Sequence, residues 1–190
     1  MVANPLRLPT PEPGGHQSTA DARSVGLRYR VLVRVEFFKV DSHGRQLSAW
    51  EATRGKRTRV PGTVMAAGKG IPHDLAQYII EAATGYRNGF WELVSKGATF
   101  KSTGRRRTKP GRAVIVEHRS ELAGAEELAG LHLARWRGGD RSAVSDALSR
   151  ALHQWRGLSA DEHLVFEWPS PGGIVVQVDG SSSGVAEHRR

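Results

Sequence analysis

Phe100 to Arg112 reads FKSTGRRRTKPGR, and Arg54 to Arg59 reads RGKRTR. Arginine carries a planar fork of donors that matches two phosphate oxygens, and lysine adds a point charge. Ser102, Thr103, Thr108 and the amides of Gly104 and Gly111 add neutral donors of the kind that follow a phosphate backbone. Both runs lie between Arg54 and Arg112, where 13 Lys and Arg face 3 Asp and Glu; the rest of the chain holds 15 against 16. The formal charge of +9 therefore arises in one central third. Arginine outnumbers lysine 22 to 6, which a GC-rich genome explains in part, but genomic bias does not explain clustering. Such a loop also reads as a solvated, self-repelling surface segment. If the fold joins the two runs, they make a polyanion-binding patch governed by counterion release.

His73-Asp74 is the place where acid/base chemistry is most readily built. A histidine beside a carboxylate can be oriented and tuned, and nearby Lys69 could hold an anionic substrate. Against this, Asp74 at a helix start is explained by the helix dipole, and adjacent helical side chains diverge by about 100°. The stretch GTVMAAGKG, Gly62 to Gly70, lacks the spacing of a P-loop, and Gly70 stands where that loop needs Ser or Thr, so nucleotide hydrolysis is excluded. His43, His118, His132, His153 and His163 are scattered with no i, i+4 pair, and neither a metal nor a cofactor is expected. There is no G-x-S-x-G elbow, and the absence of cysteine removes thiol nucleophiles, disulfides and thiolate metal sites.

The elements that must position these residues are legible from periodicity. Val31, Val33, Val35 and Phe37 alternate with Arg34 and Glu36, the period of a half-buried strand. Asp41-Ser-His-Gly44 turns the chain into a second strand over Leu47–Thr53. Val60–Gly70 reads as an extended connector. Pro72 opens a helix over Asp74–Thr84 that presents Leu75, Tyr78, Ile79 and Ala82 and stops at Gly85; a short helix with Phe90, Trp91 and Val94 follows over Asn88–Lys96. This pair fails as a DNA-reading helix-turn-helix: its second helix offers Phe90, Trp91 and Leu93 where polar donors are required, and Glu81 stands where the motif wants a small residue. Phe37 and Phe38 lie on a strand without the motif of an RNA-binding sheet.

Beyond the basic loop, the β-branched run Ala113–Val116 predicts a short strand, with a helix start as the alternative. Ser120 is expected to cap a helix reaching Arg137 before Gly138-Gly139. Ser142 opens another, with Val144, Ala147, Leu148, Ala151, Leu152 and Trp155 as its buried stripe. His163–Trp168 and Ile174–Val178 close the chain as two strands. These elements predict a single α+β domain over residues 28–179, with a mostly antiparallel sheet from the N- and C-terminal strands and about four helices in the middle. Residues 1–27 and 180–190, rich in Pro, Gly and Ser, are expected to be disordered tails.

Val60 to Ser102 carries P-H-D-L, N-G-F-W and G-A-T-F, and in these elements it resembles a group of small uncharacterised bacterial proteins, chiefly actinobacterial. The resemblance implies a bacterial cytoplasmic protein and marks Pro72, His73, Asp74, Phe90, Trp91 and Gly97 without assigning them an activity.

No apolar stretch approaches the length of a membrane span, and the start lacks a signal-peptide pattern, so a soluble cytoplasmic chain is expected. The functional expectation is a non-enzymatic module that binds DNA or RNA with weak sequence preference. Its phosphate contacts would come from Arg54, Lys56, Arg57, Arg59, Lys101, Arg105, Arg106, Arg107, Lys109 and Arg112. Two alternatives remain: a small enzyme on a phosphorylated or otherwise anionic substrate with His73 as acid/base and Lys69 or a loop arginine as anion clamp, or a subunit that docks an acidic protein. The sequence leaves the oligomeric state and the sharing of a face by the two basic runs open.

Overall fold

A computed structural model describes residues 32–55, 58–62, 64–66, 70–100, 109–170 and 177–180. The described elements all fall within one compact unit, Val31–Arg190. Strand β1 (Val33–Ser42) turns through His43-Gly44 into β2 (Arg45–Arg54). Ser42 pairs with Arg45 across a two-residue loop in which both residues have positive φ, and Asp41 Oδ1 accepts the Gly44 N–H at 3.1 Å. This tight turn matches the strand twist and sets the register of the whole hairpin.

Strand β5 (His163–Trp168) adds antiparallel to β1, so the chain's two ends are united in one sheet of order β3-β2-β1-β5-β6. β3 (Thr58–Pro61) and β4 (Met65–Ala66) both pair with β2, and β6 (Gln177–Asp179) pairs with β5. The α+β class and the antiparallel sheet agree with the sequence reading. The part of the expected connector nearest β2 is instead two short strands, because β2 offers an open edge whose backbone groups need partners.

The alternation of β1 places Val33, Val35 and Phe37 on one face, beside Trp50, Ala52, Phe166 and Trp168 from its neighbours, and all of these are buried. Helix α1 (His73–Thr84) packs on this face: the Tyr78 ring touches Phe37, Phe166, Trp168 and Trp91, and its hydroxyl donates to the Glu167 carbonyl at 2.8 Å. α4 (Arg119–Arg137) and α5 (Ala143–Gly157) pack on α1 in turn, which explains why Leu75, Ala76, Ile79 and Ile80 have no exposure at all. Ser142 caps α5 as expected, accepting the Ser145 N–H at 3.3 Å. The other end of α5 is held from the sheet, where Lys39 Nζ donates to the Leu158 carbonyl at 2.6 Å and lies 5.6 Å from the centre of the Trp155 ring. A cation there meets the negative end of the helix.

Two further expectations are overturned. Ala113–Val116 is not a strand but the body of helix α3 (Lys109–Glu117). Pro110 sits in its first turn, where a missing N–H costs nothing, and local geometry overrides the β-propensity of Val-Ile-Val. Because α3 runs on to His118, the break before α4 falls there, and Ser120 lies inside the first turn of α4 rather than at its cap. The expected tails, apart from Gly180, and Ile174–Val176 of the last strand lie outside the described residues.

Candidate functional site

Helix α2 (Phe90–Ser95) is only six residues long, and what holds it decides where the second basic run emerges. Glu81 of α1, with no exposure, turns its carboxylate across the connecting turn. It accepts the Phe90 and Trp91 N–H groups at 2.9 and 3.1 Å and Gln77 Nε2 at 3.0 Å. Gly89 is backbone only because a Cβ there would strike that carboxylate. Glu81 thus caps a helix that has no cap of its own. Burial pushes its pKa up to about 7, against the pull of those three donors.

After α2 the chain reverses through Gly97, whose φ of +99° is disfavoured for any other residue. Arg54, the last residue of β2, extends its guanidinium to this turn: a Cβ on Gly97 would stand 2.6 Å from Arg54 Nη1. Two residues on, the Thr99 N–H donates to the Gly111 carbonyl at 3.3 Å, and Gly111 lies so close that a Cβ would collide with the Thr99 side chain. The Phe100 ring lies tilted against Phe90 with ring centres 4.4 Å apart and so anchors the residue that opens the basic segment. Phe100 and Gly111 are therefore each held by a neighbour, and the Gly97 turn lies against Arg54, the first residue of the first basic run. The two runs share a root at Gly97.

The three acids of the central third all hold internal donors, and Glu92 also pairs with Lys96 at 3.8 Å. Asp74 Oδ2 accepts the Trp50 indole N–H at 2.7 Å, Glu81 is buried, and Glu92, 9% exposed, accepts the Trp168 indole N–H at 3.2 Å. None stands as a free surface carboxylate near the root.

Among the proposed phosphate contacts, Arg54, Arg59, Lys109 and Arg112 are described. Arg59, largely exposed, lies 3.4 Å from Glu51 on the sheet face away from the helices. Lys109 and Arg112 are exposed in the first turn of α3, which has no acid. Lys56, Arg57, Lys101, Arg105, Arg106 and Arg107 lie outside the described residues, as does Lys69.

His73 and Asp74 are brought together, but with structural partners. His73 Nδ1 lies 3.3 Å from Asp74 Oδ1 and its Nε2 3.6 Å from Glu126 Oε2 on α4, with the side chain 48% exposed. Its pKa is raised, first by the hydrogen bond to Asp74 and then, against desolvation, by the Glu126 and Asp74 charges. Asp74 joins the sheet to α1 through Trp50, and His73 joins α1 to α4.

Two features escaped the sequence reading. Thr99 is a root residue whose only signal is its place in the G-A-T-F segment. His163, read as a strand start, forms a 2.9 Å pair with Glu36 on the outer face of the sheet, stacked on Phe38; Arg34 continues the network from Glu36 to Asp179. This network ties β1, β5 and β6 together and carries as much acid as base.

No known protein family, curated protein or solved structure matches this chain. Among the described residues, no three His, Asp or Glu side chains gather as a metal set, and no helix is long and apolar enough to cross a membrane.

Proposed function

We propose that this chain is a non-enzymatic binding module for nucleic acid. It would use the phosphate contacts of Arg54, Lys56, Arg57, Arg59, Lys101, Arg105, Arg106, Arg107, Lys109 and Arg112, with weak sequence preference. The observation that carries the reading is the shared root: the Arg54 guanidinium against Gly97, and the Thr99–Gly111 hydrogen bond closing the second run beside it. The start of one run and the border of the other meet there, which supports their acting on one stretch of polyanion, and the hydrogen bonds of Asp74, Glu81 and Glu92 to internal donors keep those carboxylates from pairing with Arg54. Phosphate contacts position a protein on its target without reading bases, so DNA and RNA of any sequence compete for the same surface.

The test is titration of labelled duplex DNA and single-stranded RNA at two salt concentrations. Affinity falls steeply with salt, and replacing Arg105, Arg106 and Arg107 together by alanine lowers the logarithmic salt slope by about one for each phosphate that is no longer neutralised. Tight binding that ignores salt refutes the reading. A purified chain that carries an acidic protein and no nucleic acid assigns the basic surface to protein docking instead.

A further inference from the structure

Helix α4 has apolar residues on two opposite faces. Ala125, Ala129 and Leu133 form its buried face, and α1, α3 and α5 pack on the helix. Leu131 stands two residues from both Ala129 and Leu133, so at about 100° per residue it turns about 160° away from each. It is 47% exposed. A lone exposed leucine is ordinary on a protein surface, but its neighbours here are not. Glu127 stands four residues before it and Arg135 four after. Both are exposed, and each lies within about 40° of Leu131 around the helix and about 6 Å from it along the axis. Gly130 and Ala134, also exposed, border the leucine with little bulk, so a second helix can approach closely. Glu121 lies 3.4 Å from His118 and Glu126 3.6 Å from His73, whereas among the described residues the Glu127 side chain has no ion pair or hydrogen bond. The Arg135 side chain likewise has none among them, and it acts on Asp140 only through its charge.

An acid and a base placed at equal distances on either side of a leucine form a pattern complementary to its own reverse. Two copies of α4 laid antiparallel about a two-fold axis at Leu131 bring the leucines together and set Glu127 of each copy opposite Arg135 of the other. Such a contact is isologous, because each copy presents the same patch to the other. A parallel pairing would oppose acid to acid and base to base. We propose that the outer face of α4 docks a second copy of this chain in the antiparallel arrangement, forming a homodimer. A different protein would need a matching pattern of its own, and a second copy supplies it by symmetry. Charge does not oppose the contact locally: α4 lies outside the basic third, and its acids Glu121, Glu126 and Glu127 balance its arginines Arg119, Arg135 and Arg137. The dimer is independent of what the basic runs bind.

The experiment is sedimentation equilibrium of the full chain, freed of nucleic acid, over a wide range of concentration. Wild type, Glu127→Arg, Arg135→Glu, Leu131→Lys and an equimolar mixture of the two charge reversals are compared, and thermal unfolding checks that each exposed substitution keeps the fold. Wild type passes from the monomer mass to the dimer mass as concentration rises. Each reversal alone turns both charge pairs into like-charge contacts and weakens association roughly tenfold or more, and Leu131→Lys abolishes it. The mixture restores the dimer, because a Glu127→Arg copy meets an Arg135→Glu copy with opposite charges at both ends of the contact. The proposal is overturned if wild type stays monomeric, if the single reversals dimerise as wild type does, which places the interface elsewhere, or if the mixture associates no better than its components. A monomeric wild type that retains a different protein, lost in Leu131→Lys, gives the face to that partner and equally overturns the second copy.

Discussion

Glu81 makes the stability of this fold depend on pH in a direction opposite to that of most carboxylates. Its folded-state pKa is pushed up to about 7 from 4.5, first by burial, so the folded chain holds this proton over a range where the unfolded chain has released it. Stability from this group is fullest below pH 4.5 and is lost as pH rises through the window to 7. At about 1.4 kcal/mol per pH unit across that window, the loss amounts to about 3 kcal/mol. Glu81→Gln removes the titration and keeps a carbonyl for one of the two backbone donors at α2, while the other is left without an acceptor, at roughly 1–3 kcal/mol. The assay is urea unfolding of both proteins from pH 4.5 to 8, followed by tryptophan fluorescence. The wild-type advantage over the variant should shrink by about 3 kcal/mol across the range, and subtracting the two curves cancels every other titrating group. A constant difference would mean that Glu81 titrates alike in both states. A difference that grows with pH would mean that the three donors outweigh burial, and either result refutes the argument.

Trp50→Phe removes the 2.7 Å indole–Asp74 bond that ties β2 to α1, and should cost about 2–3 kcal/mol in chemical denaturation, as expected of a hydrogen bond to a charged acceptor together with poorer packing. Lys39→Met leaves the Leu158 carbonyl at the end of α5 without its cation and should cost about 1–2 kcal/mol, with faster amide exchange in the last turn of that helix. His73 should titrate above 6.5 in an NMR pH series, and Glu126→Gln should bring its midpoint down. Because the His73 pKa is raised, the stability it lends is present below pH 6.5 and lost as pH rises through its folded value, so His73→Gln should differ from wild type in acid and converge with it in alkali.

Local pattern and composition were enough to determine several features of this protein. The period-two run of β1, the Asp41–Gly44 turn, the stripe of α5 with its Ser142 cap and the strand His163–Trp168 all stand where their side-chain spacing put them, because each buries one face at a period set by backbone geometry. The confinement of the charge excess to Arg54–Arg112 was equally plain. Tertiary structure decided the rest. Ala113–Val116 has the propensity of a strand, but it lies in a helix that begins around Pro110 and packs Gly111 flush against Thr99. Glu81 looked like an obstacle to a helix-turn-helix, and its reason became visible only once α2 was folded back across it. That Arg54 reaches Gly97, and that Asp74, Glu81 and Glu92 turn inward, depends on residues far apart in the chain meeting across the sheet and helices. A sequence records how many charges a segment carries. Which of them meet, and which are neutralised inside, follows from packing alone.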